Sequence, residues 1–235
     1  MKIYKYNLSE LNLFKNYSSI ELKTILSIFS ILAFRQKNLS APHKLILNSQ
    51  FLNTNGSNVF ISLKTSSFEI SKHKFSSDKP GGRQQKEVIQ TLESISSKHG
   101  TLKISFCNTN EIRVLIDPIL TDTQVFKFIY SNIDFIYKFN NYFTFNKGTS
   151  RVSELFFRSF IFILSQNTTF EITKNLLFEI IAPKHFSKSR INLIDEQLEE
   201  VVDFLKKIKV IKSFKKEHKP LFLGGDHFKF IINEP

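Results

Sequence analysis

Between residues 188 and 208 an otherwise charged segment carries Ile191, Ile194, Leu198, Val201, Val202, Leu205 and Ile208 at spacings of three and four. That period places all seven on one face of a long helix, and a stripe so continuous must pack against other elements. Residues 210–214 and 228–232 follow as two strands, the second alternating Phe228, Phe230 and Ile232 against Lys229 and Ile231. Between them lies a polar tip, KKEHKPLFLGGDH, with Pro220 and Gly224-Gly225 suited to an exposed turn. Upstream, residues 151–165 (RVSELFFRSFIFILS) read as a largely buried helix, and residues 168–172 (TTFEI) as a short strand with Phe170 and Ile172 inward. Thr173 can cap a helix over 174–181, which ends at Ala182 before Pro183, and PKHFSKS makes the turn into the long helix.

The earlier part of the chain repeats this order. Residues 19–35 (SIELKTILSIFSILAFR) form an apolar helix opened by a Ser cap, with Glu21 in the first turn. Residues 67–71 (SFEIS) read as a strand close in pattern to the later TFEIT, and 72–76 as a short helical stretch ending at the turn SDKPGG. A helix over 83–98 puts Val88, Leu92 and Ile95 on one face and stops at His99-Gly100. A hairpin of 102–106 and 112–116 turns at CNTNE. Helix, strand, helix, turn, helix, hairpin is the order of a winged helix. The expected fold class is α+β: two winged-helix domains in tandem, each a helical core with a small antiparallel sheet. The expected boundaries are 1–119, with an insertion at 38–63 read as extra strand and loop, then an aromatic connector at 120–150 that packs the halves together, then 151–235.

Charge gives the first indication of a partner. With 33 Lys and Arg against 21 Asp and Glu, the chain carries +12, and self-repulsion of that size is relieved by a polyanion. A base composition rich in A and T also raises Lys and Phe, so position must decide what amount does not. The one cysteine, Cys107, makes no internal disulfide. The N-terminus lacks the apolar run of a signal peptide, and the most apolar windows, 25–34 and 155–164, are too short to cross a bilayer, so a cytoplasmic protein with no membrane partner is expected.

The six histidines, His43, His73, His99, His185, His218 and His227, have no metal-ligand spacing. Gly81-Gly82 and Gly224-Gly225 stand in turns and not in a phosphate-cradling loop, and Asp117, Asp122 and Asp134 are too dispersed for two-metal chemistry. The expectation is a protein that is not an enzyme and uses no metal or cofactor.

The residues that suit a function lie at the turn and wing of each half. Lys79, Arg83, Gln84, Gln85 and Lys86 stand before and at the start of the first long helix, and Lys184, Lys188, Ser189, Arg190 and Asn192 at the second. Helix N-termini favour phosphate, Arg reads guanine, and Gln or Asn reads adenine. Seven lysines fall between 206 and 219, of which Lys212, Lys215, Lys216 and Lys219 would line a DNA-facing wing. Asp195, Glu196, Glu199, Glu200 and Asp203 would repel phosphate, so only the first turns of that helix can enter a groove.

The segments GRQQKEVIQTLESI, LKISF and EIRVLIDPIL, then RVSELFFRSFIFILSQ, FEITKNLLFEII and the long helix with VIKSF, form a tandem pattern. It resembles the initiator proteins of theta-replicating plasmids, which pair two winged-helix domains. The resemblance implies binding of double-stranded DNA at repeated origin sites, dimerisation, and contact with host replication proteins. A transcriptional regulator of the same fold, or an interaction protein whose charge is codon bias, are the alternatives.

Overall fold

The computed structural model describes residues 6–38, 51–54, 58–98, 101–107, 111–147, 154–166, 169–220 and 225–233, and at 38, 51–54, 58–59 and 144–147 it describes the backbone alone. The fold is α+β, with two antiparallel sheets. Two compact units emerge, one of residues 16–151 and one joining 1–15 to 152–235.

In the first of these, α2 (Ser19–Asn38) is the central helix. Ile25, Ile28, Phe29 and Ile31 are fully buried, and Leu22, Leu26 and Leu32 nearly so, which wraps apolar contacts around the whole helix. Two of its buried hydroxyls are satisfied by turning back on the helix: Ser27 donates to the Lys23 carbonyl at 2.8 Å and Thr24 to the Ile20 carbonyl at 2.9 Å. Helices α3 (Ser67–Phe75) and α4 (Gly82–Ser96) pack on it, with Val88, Leu92 and Ile95 of α4 buried as their spacing predicts. The sheet has β1 (Phe51–Thr54), β2 (Asn58–Thr65), β3 (Leu102–Phe106) and β4 (Ile112–Ile116), in the order β1-β2-β4-β3. The hairpin falls where the alternation places it.

The strand expected at 67–71 is instead the first part of α3. Ser66 is extended and its side chain accepts the Glu69 N–H at 3.1 Å, a cap that commits the following residues to a helix. Arg35 then holds both oxygens of Glu69, at 2.8 and 2.6 Å, and Thr65 donates to one of them at 2.8 Å. Phe68 therefore lies exposed while Ile70, Ser71 and Lys74 are buried, a helical and not an alternating pattern. The strand that precedes the helix pair is β2, which starts in the segment read as an insertion and runs past its end to Thr65; it is a central strand bonded to β4, and β1 is the additional one. His99-Gly100, the expected end of α4, lies outside the described residues.

The aromatic segment after the hairpin folds into α5 (Pro118–Thr121), α6 (Gln124–Ser131) and α7 (Phe135–Lys147). These belong to the same unit: α6 and α7 lie on α2, and α7 also on α3. Phe126 meets Phe29 edge-on at 5.3 Å, and Phe135, Phe139 and Phe143 contact one another in sequence along α7 with tilted rings. The dense aromatics complete this core and do not form a separate connector.

The second unit is built on α8 (Glu154–Ser165), whose Phe156, Phe157, Phe160, Phe162 and Ile163 are buried, while Ser159 bonds back to the Leu155 carbonyl at 2.8 Å. The chain continues through β5 (Phe170–Thr173), α9 (Lys174–Ile181), α10 (Pro183–Phe186), α11 (Ile191–Lys207), β6 (Ile211–His218) and β7 (Asp226–Ile232). Thr173 caps α9 as expected, accepting from Leu176 N–H at 3.4 Å. The stripe of α11 is buried from Ile194 to Leu205. Sheet order is β5-β7-β6, and register places Phe170, Phe230 and Phe214 in one row. Phe170 stacks on Phe230 at 4.7 Å and Phe214 tilts against it at 4.9 Å.

Residues 6–15 join this unit. The short helix α1 (Ser9–Phe14) lies on α8, with Leu11 and Phe14 buried. Tyr6 donates its hydroxyl to the Glu171 carbonyl at 2.6 Å, and Ser165 and Gln166 donate to the Asn7 carbonyl. Among the described residues no helix is long and apolar enough to cross a membrane.

Candidate functional site

In the unit of residues 16–151, the turn between α3 and α4 delivers the first basic cluster. Gly81 is the N-cap of α4, and Gln84 reaches back to accept its N–H at 3.0 Å. Gln85 donates to the Pro80 carbonyl at 3.2 Å and accepts from the Ser67 hydroxyl at 3.4 Å. Both glutamines, expected to read bases, are thus engaged in holding the turn. Lys79, Arg83 and Lys86 are exposed, with no ion pair among the described residues. No acidic residue occupies the first turn of α4, so the positive end of the helix dipole and these cations act together. A Cβ placed on Gly81 or Gly82 would meet nothing within 4 Å, which leaves the helix start open to approach.

The second cluster sits on α10 and the turn after it. Lys184 lies within α10 and not in a loop, while Lys188, Ser189 and Arg190 precede α11, which begins at Ile191. Ser189 has φ 53°, a left-handed turn that lets Arg190 N–H return to the His185 carbonyl at 3.1 Å. Lys184, Lys188, Ser189, Arg190 and Asn192 are all exposed, and the first turn of α11 also lacks an acid.

The hairpin expected to act as a wing departs most from expectation. Lys212, Lys215 and Lys216 lie within strand β6, so the tip is shorter than the sequence suggests. Lys216 turns toward α11: its Nζ is 2.6 Å from Glu199 and 3.4 Å from Asp195, whose other oxygen bonds Lys174. Burial opposes the charge on Lys216, but the Glu199 and Asp195 carboxylates outweigh it and hold the ammonium above the usual lysine range. Lys219 bonds Glu171, which keeps that carboxyl below its ordinary value. Two of the four wing lysines therefore neutralise carboxylates of their own unit. Lys212 and Lys215 remain exposed, and Lys215 stands directly across the ladder from Lys229. Lys229 was not among the expected contacts, although the alternation of β7 already placed it on the outer face. Lys174 could not have been found, because its partner Asp195 is 21 residues away and on another helix.

At the end of the β6–β7 ladder, His218 Nδ1 lies 2.5 Å from Asp226, which lowers the Asp226 pKa. Among the described residues no three His, Cys, Asp or Glu side chains are grouped to hold a metal. Compared with protein-family models, with curated proteins and with solved structures, the chain finds no match.

Proposed function

We propose that the chain binds double-stranded DNA through two winged-helix units, as a non-enzymatic initiator of the theta-replicating plasmid kind acting at repeated origin sites. Self-association and contact with host replication proteins belong to the same reading. One observation carries it. In each unit a strand leads into a long helix and an antiparallel hairpin, through α3 in one and through α9 and α10 in the other, and that helix begins among exposed cations with no acid in its first turn. Lys79, Arg83 and Lys86 serve one unit, and Lys184, Lys188 and Arg190 the other. The carboxylates of α11 argue for shallow entry, and their pairing with Lys174 and Lys216 lessens the repulsion that a phosphate would meet.

The test is selection of bound duplexes from a random pool, followed by affinity measurements at several salt concentrations. Release of counterions from several phosphates should cost orders of magnitude in affinity between about 50 and 200 mM salt. Arg83→Ala and Arg190→Ala should each weaken the selected sequence by about 1–3 kcal/mol more than an unrelated one. Affinity flat with salt would remove the reading, and equal losses on all sequences would make both arginines phosphate clamps.

A further inference from the structure

Beside the turn that joins α3 to α4, a cavity of about 240 Å³ opens between the end of α3 and the α6–α7 junction. One wall is polar: His73 from α3, then Ser76 and Ser77 from the turn. The other is lined by Ile133, by Ile136, which is buried, and by Tyr137, which is 59% exposed. Cavities for drug-sized molecules run to about 300–1,000 Å³, so this one has room for a single ring system and not for a dinucleotide.

The polar wall keeps hydrogen-bonding capacity to offer. His73 is half-buried, and its ring has no hydrogen-bond partner among the described residues. Burial first, then Lys72 and Arg35, lower its pKa against the opposing pull of Glu69, so the ring is neutral near pH 7 and offers one donor and one acceptor. Ser76 accepts from Asn140 at 2.7 Å, which leaves its own proton to give. At the mouth Lys72 and Asp78 pair at 3.0 Å and cancel each other's charge. A site with neutral donors and acceptors on one side, and isoleucines and an exposed phenol ring on the other, suits a flat, uncharged molecule. It would be read by its edge and stacked by its face, the two contacts by which unpaired bases are held.

We propose that this cavity binds one uncharged heteroaromatic ring of nucleobase size, with its edge toward His73 and the serines and its face against Tyr137. The proposal does not depend on duplex binding, because none of its residues belongs to the basic clusters. Ligand-observed NMR on the full chain with adenosine, guanosine, cytidine and thymidine in turn is the test. At least one should bind saturably, and Tyr137→Ala should weaken it by about five- to a hundredfold through lost stacking, with the unfolding temperature unchanged because the ring is largely exposed. His73→Leu, which removes both ring nitrogens, should weaken the same nucleoside. Displacement by a single-stranded oligonucleotide of the preferred base would identify an unpaired strand as the source; failure to displace would assign the cavity to free nucleosides. No saturable binding by any of the four, or binding that survives both substitutions, overturns the proposal.

Discussion

Lys23 and Lys74 are buried side by side in the unit of residues 16–151, at 7% and 1% exposure. Lys23 Nζ lies 5.9 Å from the ring centres of both Phe75 and Phe139, and Lys74 Nζ is 3.0 Å from Glu87 without hydrogen-bond geometry. One carboxylate thus serves two ammonium groups. Burial, and then the charge of Lys74, take Lys23 from its usual 10.5 down to about 8 against the pull of Glu87, and burial lowers Lys74 as well. Because the folded value lies below the unfolded one, the unfolded chain holds more protons between those limits. Stability of this unit should therefore rise as pH rises from about 8 to 10.5, and the full penalty, roughly 3 kcal/mol for Lys23, applies below that window. Lys23→Met should raise the unfolding temperature at neutral pH and flatten its dependence on alkaline pH; a melting curve that steepens instead would contradict this. The wing lysines separate in the same way. Lys215→Ala should reduce the slope of log affinity against log salt by about one, as loss of a phosphate contact does. Lys216→Ala should leave that slope unchanged and lower stability by about 1 kcal/mol or less, since its ion pairs with Asp195 and Glu199 are half-exposed. Equal slopes for both variants would mean that Lys216 leaves its carboxylates when DNA binds.

At the scale of elements, Ser66 and Thr173 hold equivalent posts, each extended, each at the end of a strand, each capping the helix that follows. The two FEI tripeptides do not: Phe68–Glu69–Ile70 follows its cap and is helical, whereas Phe170–Glu171–Ile172 precedes its cap and is a strand. Sequence similarity led to the wrong alignment of the two units because three residues fit either period, and the neighbour of a cap decides between them. Replacement of Ser66 or Thr173 by Ala should each cost about 1 kcal/mol of unfolding free energy, and Asp at either position should restore most of it. Denaturant melts of the four variants measure this. A loss at Thr173 alone would mean that the Arg35–Glu69 pair fixes α3 without its cap.

For the molecule as a whole, the N-terminal residues belong with the C-terminal unit. A fragment of residues 16–151 should unfold cooperatively by itself, and a fragment of 152–235 should melt at a lower temperature than the same fragment with residues 1–15 supplied as a fusion. The difference arises from the buried Leu11 and Phe14 and from the bonds that Tyr6 and Asn7 make to β5 and α8. Identical melting with and without residues 1–15 would show that this segment contributes nothing to the unit. Such long-range placement was beyond the reach of periodicity. What the sequence determined by itself were features whose cause is local: the buried stripes of α4 and α11, the hairpin of β3 and β4, the cap at Thr173, and the basic turns before both long helices. Each follows from side-chain spacing or backbone preference within a few residues. Tertiary structure alone decided which cations stay free, because Lys216 and Lys219 find carboxylates on other elements, while among the described residues Arg83 and Lys215 do not. It also decided that the aromatics after β4 fill a core, since burying a ring needs partners that only the folded chain brings within reach.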